Sequence, residues 1–218
     1  MMQLTRDGDV FLLDLGEGDI RFSPDFLDTY ERALDDVEHA DGHRALVTTA
    51  SGKIWHNGLD LEYMATLGDD FLGYLGRVHR LFARLLTLPV PTVAAVQGHA
   101  FAGGAMLALS HDVRVMRSDR GYLCLPEIDL GMTFTDGMAS LIAAKLPQPA
   151  LHRMAVLGER IGGPDALALG AVDAVVEGDR AVLPAALDRA RALTAKARPN
   201  LAGIRRDFYA DVIDTLES

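Results

Sequence analysis

The chain has 218 residues, is 49% hydrophobic and carries a formal net charge of −10, a length that permits one sizeable core and leads us to expect a single compact domain. The acid excess argues against a nucleic-acid partner, because phosphate contacts need clustered Lys and Arg; a phosphorylated small ligand remains compatible through a local basic patch or free backbone amides. Its longest apolar runs, such as Leu85 to Val96, are interrupted by Pro89 and Pro91 and fall short of the ~20 residues of a membrane span.

The opening "MMQLTRDGDV" lacks the basic segment and apolar core of a secretion leader, and "TLES" is not a peroxisomal tripeptide address, so a soluble, cytoplasmic protein is expected. "VFLLDL" (10–15) predicts a strand. "SPDFLDTYERALDDVEHA" predicts a helix, with Ser23 as N-cap, Pro24 at the first position and Leu27, Tyr30, Leu34 and Val37 on one face. "RALVTTA" (44–50) predicts a buried strand and the polar "SGKIWHNGLDL" a loop. From Asp69 to Leu88, the spacing of Leu72, Leu75, Val78, Phe82 and Leu85 predicts a second helix that "PVP" ends. "TVAAVQG", "DVRVM" and "GYLCLPE" predict three more strands, with Cys124, the lone cysteine, as a small core residue of the last. From Gly137 the pattern is mostly helical, apart from a short strand at "VDAVV" (172–176). Strand and helix alternating in this way argues for an α/β fold built on a mainly parallel sheet.

"GHAFAGGAMLALSHDVRV" (98–115) sets Gly103 and Gly104 at the head of a helix. Glycines there let a ligand oxygen approach the first free amides, which would stabilise negative charge developing on it; alternatively, they permit tight packing. The G-x-G-x-x-G and GK[ST] spacings of nucleotide loops are absent. "GKIWHNGLDL" also follows a strand and places Gly58 before Leu59, so one amide from each loop could converge on a single oxygen.

In that order and at those separations, "GKIWHNGLDL", "PTVAAVQGHAFAGGAMLALSHDVRVM" and "LPEIDLGM" resemble the crotonase superfamily of acyl-CoA enzymes, with the likeness running through "LGERIGGPDALALGAVDAVV" over roughly residues 4 to 180. Within it, "GHAFAGGAMLALSHDVRVMRSDRGYLCLPEIDLG" is most similar to Δ3,Δ2-enoyl-CoA isomerases of the plant peroxisomal type. The resemblance implies a ββα-repeat spiral core over residues 1–180 and a C-terminal helical segment over 181–218, either part of the same domain or a trimerisation element, shorter than in typical hydratases. It implies a homotrimer or a pair of trimers, a coenzyme A thioester as substrate, and no cofactor or metal. Carried over, the family's oxyanion-hole amides fall on Leu59 and Gly103 and its catalytic glutamate on Glu127; Gly58, Gly104, Met106, Trp55 and Lys53 fall near the substrate.

Hydratases of the superfamily use a second glutamate in the helix after the glycine pair, where this chain has Met106. Moving a double bond from C3 to C2 needs a proton to leave C2 and one to return at C4, which a single carboxylate can do. Met106, with Phe101 and Leu107, either keeps such a site dry and so raises the pKa of Glu127 or fills the core. Asp136 is a candidate second acid, placed near that of dienoyl-CoA isomerases, or else a helix cap. Asp129 reads as a cap or pairing residue, His56 and His99 as hydrogen-bonding residues flanking the site, Trp55 as an acyl contact or a loop anchor, and Lys53 as a CoA phosphate contact. Three activities compete: isomerase through Glu127; hydratase or thioesterase, needing a water activated by Asp136 or a histidine; and acyl-CoA binding without turnover.

Overall fold

The computed structural model describes all 218 residues. Nine strands run in chain order: β1 (Gln3–Asp7), β2 (Val10–Glu17), β3 (Ala45–Ser51), β4 (Ile54–His56), β5 (Thr92–Val96), β6 (His99–Phe101), β7 (Val113–Arg117), β8 (Leu123–Cys124) and β9 (Ala174–Val176). The α-helices are α1 (Pro24–His39), α2 (Leu61–Thr66), α3 (Phe71–Thr87), α4 (Gly103–Leu109), α5 (Asp136–Lys145), α6 (Gln148–Leu151), α7 (Gly163–Ala168), α8 (Asp179–Leu193) and α9 (Pro199–Glu217), with a π-helical turn at His152–Val156.

A six-stranded sheet has the order β1-β2-β3-β5-β7-β9, antiparallel only at the β1–β2 hairpin, and a small parallel sheet has the order β4-β6-β8. The chain alternates between them: β3 then β4, β5 then β6, β7 then β8, with a helix following each pair. This is the ββα repeat that the resemblance implied.

Side-chain alternation divides the core. Val10, Ala45, Val47, Val93, Ala95 and Val115 face α8 through its Val182, Ala186 and Ala190. Their neighbours Phe11, Leu13, Leu46, Ala94 and Val96 face the opposite way, into the larger core with α1 and α3. Strands covered on both faces read as unbroken apolar runs, which is why "RALVTTA" and "TVAAV" stand out in the sequence. Ser23 caps α1, accepting Phe26 N–H at 3.2 Å, and Leu27, Tyr30, Leu34 and Val37 are all fully buried. In α3 the expected stripe holds only from Val78 onward. Leu72 is 64% exposed and Leu75 half-buried, while Tyr74, His79 and Leu81 are buried instead.

Two short strands that read as loop, β4 inside "SGKIWHNGLDL" and β6 inside "GHAFAGG", build the small sheet. At three residues each, they are too short to show a period. No helix is long and apolar enough to cross a membrane. The last helix is fastened by Arg205: its guanidinium donates to the Leu88 and Val90 carbonyls and pairs with Asp112.

Candidate active site

The two loops flagged in the sequence lie in van der Waals contact. Gly58 has φ +85°, and a Cβ there would stand 2.8 Å from the Gly103 nitrogen, so only glycine brings the strands' ends this close. Ala102, just before α4, is the one non-glycine residue at positive φ (+47°, ψ −121°), the backbone of the first central position of a type II′ turn, where glycine is usual. Two bonds hold it there: Ala102 N–H donates to the Cys124 carbonyl at 2.8 Å, and its own carbonyl accepts Met106 N–H at 3.1 Å. The strained turn leaves the Gly103 amide at the helix start without an intrahelical acceptor. Leu59 N–H likewise donates to no group of the protein.

Leu59, Gly103, Met106 and Glu127 line one cavity of about 410 Å³, walled further by Phe101, Leu130, Met132 and Met138. The "PEIDLGM" segment turns back on itself, and the Glu127 carbonyl accepts both Leu130 and Met132 N–H, at 3.2 and 2.9 Å. Glu127 is only 7% exposed, and its Oε2 has no hydrogen-bond partner. Burial therefore pushes its carboxyl up to about 7 from an ordinary 4.5, outweighing the lowering by its own backbone N–H, because the charged form loses water. A carboxylate with that affinity can both remove and return a proton near neutral pH, beside two unpaired amides that can hold an oxygen becoming negative.

Met106 is 1% exposed and does both things expected of it, filling the core and facing the cavity. Phe101 also lines the cavity, whereas Leu107 faces only the core. Gly104 does not line the cavity; a Cβ there would lie 2.2 Å from the His56 carbonyl oxygen, so its part is close packing of α4 on β4. Gly58 is a backbone hinge rather than a lining residue.

Several expected site residues lie elsewhere. Trp55 is fully buried, 6.3 Å from His111 ring to ring, and anchors its strand instead of meeting a ligand, since strand alternation turns it inward from the loop. Lys53 is exposed in the turn between β3 and β4 and lines a separate polar cleft with Gln97, Arg117 and Arg120. Asp136 is exposed and outside the cavity. The cap of α5 is Thr135, whose Oγ1 accepts Met138 N–H at 3.2 Å, so Asp136 occupies the first helical position and points outward. Asp129, in contrast, stands exposed at the mouth of the cavity.

Neither histidine reaches the cavity. His56 is fully buried between Phe22 and Phe26 (ring centroids at 4.2 and 4.8 Å), and burial lowers its imidazole to about 3. His99 stacks on Tyr122 at 4.0 Å, and burial, then nearby Lys53, Arg120 and Arg160, lower it as well. Sequence reasoning missed Arg21, Asn57, Thr133 and Arg160 on the cavity wall. Each comes from a different segment with no local pattern; only the fold assembles them.

The family model described as Enoyl-CoA hydratase/isomerase matches residues 21–218. The protein named Enoyl-CoA delta isomerase 2, peroxisomal, of Arabidopsis thaliana is 38% identical, covering 99% of this chain and 95% of its own. Enoyl-CoA delta isomerase 3 of the same plant is 36% identical, covering 97% and 93%. Among solved structures, a probable enoyl-CoA hydratase of Mycobacterium tuberculosis H37Rv superposes with a TM-score of 0.89 at 25% identity, covering 99% of this chain and 91% of that one. With the two-sheet spiral and a family match over all but the first twenty residues, the chain belongs to the enoyl-CoA hydratase/isomerase family of the crotonase superfamily.

Proposed function

We propose that the protein is a Δ3,Δ2-enoyl-CoA isomerase that moves a C3 double bond of an acyl-CoA into conjugation with the thioester. The amides of Leu59 and Gly103 receive the thioester oxygen. Glu127 takes a proton from C2, the enolate charge rests on that oxygen, and Glu127 returns a proton at C4. Two donors of this kind contribute several kcal/mol, since loss of one costs ~2.7 to 4 kcal/mol in a comparable hole.

The observation that carries this reading is a single buried carboxylate with an unpartnered oxygen, in a cavity whose next helical turn offers Met106 and no second acid. The relatives named as delta isomerases support it. Hydration or hydrolysis would need a second group to ready a water, and the other carboxylate on the cavity, Asp129, stands at its solvent edge. Arg21 and Arg160, also on the wall, suit the phosphorylated end of coenzyme A. No cofactor has a part in this chemistry.

Exposed Ile128, Leu130, Met132, Val156 and Leu157 flank the Glu127 turn and the following π-helical segment, and Gly158 lies against Ile128. An apolar surface of this kind next to the site supports a homotrimer, which the mass of the particle in solution tests. The reaction is tested with trans-3-hexenoyl-CoA and the Glu127→Gln variant. Conversion to the 2-enoyl thioester without change of mass, lost in the variant, is the expected result; an added water or released coenzyme A gives the assignment to hydratase or thioesterase, and binding without turnover to a binding protein.

A further inference from the structure

Three consecutive amides, those of Gly58, Leu59 and Asp60, run past the cavity. The outer two are tied: Gly58 N–H donates to His56 Nδ1 at 2.9 Å, and Asp60 N–H donates to the Tyr74 hydroxyl oxygen at 2.9 Å. The middle one, on the residue that lines the cavity, has no acceptor in the protein. We propose that His56 and Tyr74 are positioning residues that fix the peptide planes on either side of the one carrying the Leu59 amide, so that its N–H faces the substrate oxygen before substrate arrives. The inference rests on the isomerase reading above.

Peptide units are planar, so the direction of one N–H follows from two backbone torsions. With the 58 and 60 amides anchored, the 59 amide has little room to turn away. An oxyanion donor is effective because it needs no reorganisation during reaction, and a donor free to rotate forfeits that advantage.

The anchors are themselves rigid. His56 reaches its own i+2 amide, the geometry of an Asx turn made with an imidazole. Its ring is enclosed by Phe22 and Phe26, and since Nδ1 accepts the Gly58 proton, the ring proton sits on Nε2. Tyr74 comes from α3, is 8% exposed and packs edge-on to Tyr63 at 5.5 Å. Neither side chain lines the cavity, so neither touches the substrate.

The test compares His56→Leu, His56→Asn and Tyr74→Phe with the parent chain. It measures kcat and KM for trans-3-hexenoyl-CoA, thermal unfolding, and the near-ultraviolet absorbance of bound acetoacetyl-CoA, whose enolate form reports the oxyanion hole without turnover. His56→Leu removes the acceptor but keeps apolar bulk, and His56→Asn restores an acceptor for the i+2 amide. The expected result is a fall in kcat of ~10- to 100-fold in His56→Leu and Tyr74→Phe, less than full loss of a donor, with KM little changed, a weakened enolate band, and substantial recovery in His56→Asn.

Folded His56→Leu and Tyr74→Phe proteins with kcat within about twofold of the parent, or a His56→Asn protein as slow as His56→Leu, overturn the inference. Should His56→Leu fail to fold, Tyr74→Phe decides. A parent chain that binds but does not isomerise overturns the isomerase reading alone, and the enolate band of the variants then decides the positioning role. A parent that neither isomerises nor forms an enolate band overturns both.

Discussion

Gly104 and His56 pack so closely that a Cβ on the glycine would lie 2.2 Å from the histidine carbonyl oxygen and 2.7 Å from its carbonyl carbon. The contact is backbone against backbone, so no side-chain rotation relieves it. Through it, α4, which starts at Gly103, is seated on the strand that leads into the Gly58–Leu59 turn. The two unpaired amides are thus set relative to each other by a contact neither of them makes.

Gly104→Ala therefore has to displace β4 or α4. The expected cost is ~2 to 4 kcal/mol, in the range of severe overpacking, together with a large loss of activity. Thermal unfolding and steady-state rates on the purified variant check this; a stable, fully active Gly104→Ala protein would show that the site tolerates the shift.

Glu127 works as a base only when ionised, and its burial places that ionisation at about 7. The profile of kcat/KM for a 3-enoyl thioester is expected to rise as pH climbs through about 7 and to level above it. Glu127→Gln should lower the rate by about 10²- to 10⁴-fold at every pH, the usual contribution of a positioned acid–base group.

The same shift acts on stability. Glu127 holds its proton more tightly in the folded chain, near 7, than in the unfolded one, near 4.5, so stability is lost as pH rises through that interval. Glu127→Gln removes the loss. Denaturant titrations should find the variant more stable than the parent at pH 8, by up to about 3 kcal/mol, and equal to it at pH 4.

Met106→Leu keeps the apolar wall and is expected to retain activity within about threefold, as volume-conserving core changes do. Met106→Glu places a second carboxyl on the same cavity, and repulsion from whichever carboxylate ionises first raises the second ionisation of the pair. The rising limb of the pH–rate profile should move to higher pH, and product analysis for a 3-hydroxyacyl thioester shows whether the second acid also admits hydration.

Thr135 takes the capping role that the sequence offered to Asp136. Thr135→Ala removes the α5 cap and the partner of His79 Nε2, which lies 3.0 Å from the hydroxyl, and should cost about 1 to 2 kcal/mol. Asp136→Asn, at an exposed position off the cavity, should change kcat by less than about twofold. A large kinetic effect of Asp136→Asn would restore it as a second acid.

Much of this protein was written in its sequence. The alternating apolar runs required a mainly parallel sheet, because strands buried on both faces must be apolar at every position; the buried face of α1 and its Ser23 cap followed from helical period and turn chemistry. The ordered motifs around Gly58, Gly103 and Glu127 pointed to residues that the fold brings to one cavity or, for Gly58, to its backbone support.

Tertiary structure decided the rest. The three-residue strands β4 and β6 exist only through their pairing in the small sheet, which no local period reveals. That pairing turned Trp55 into the core, carried Lys53 to a different cleft and put His56 behind the Gly58 amide. The basicity of Glu127 was foreshadowed in the sequence only by the apolar Met106, Phe101 and Leu107; its cause is water lost on burial, a property of the surroundings that only the assembled chain provides.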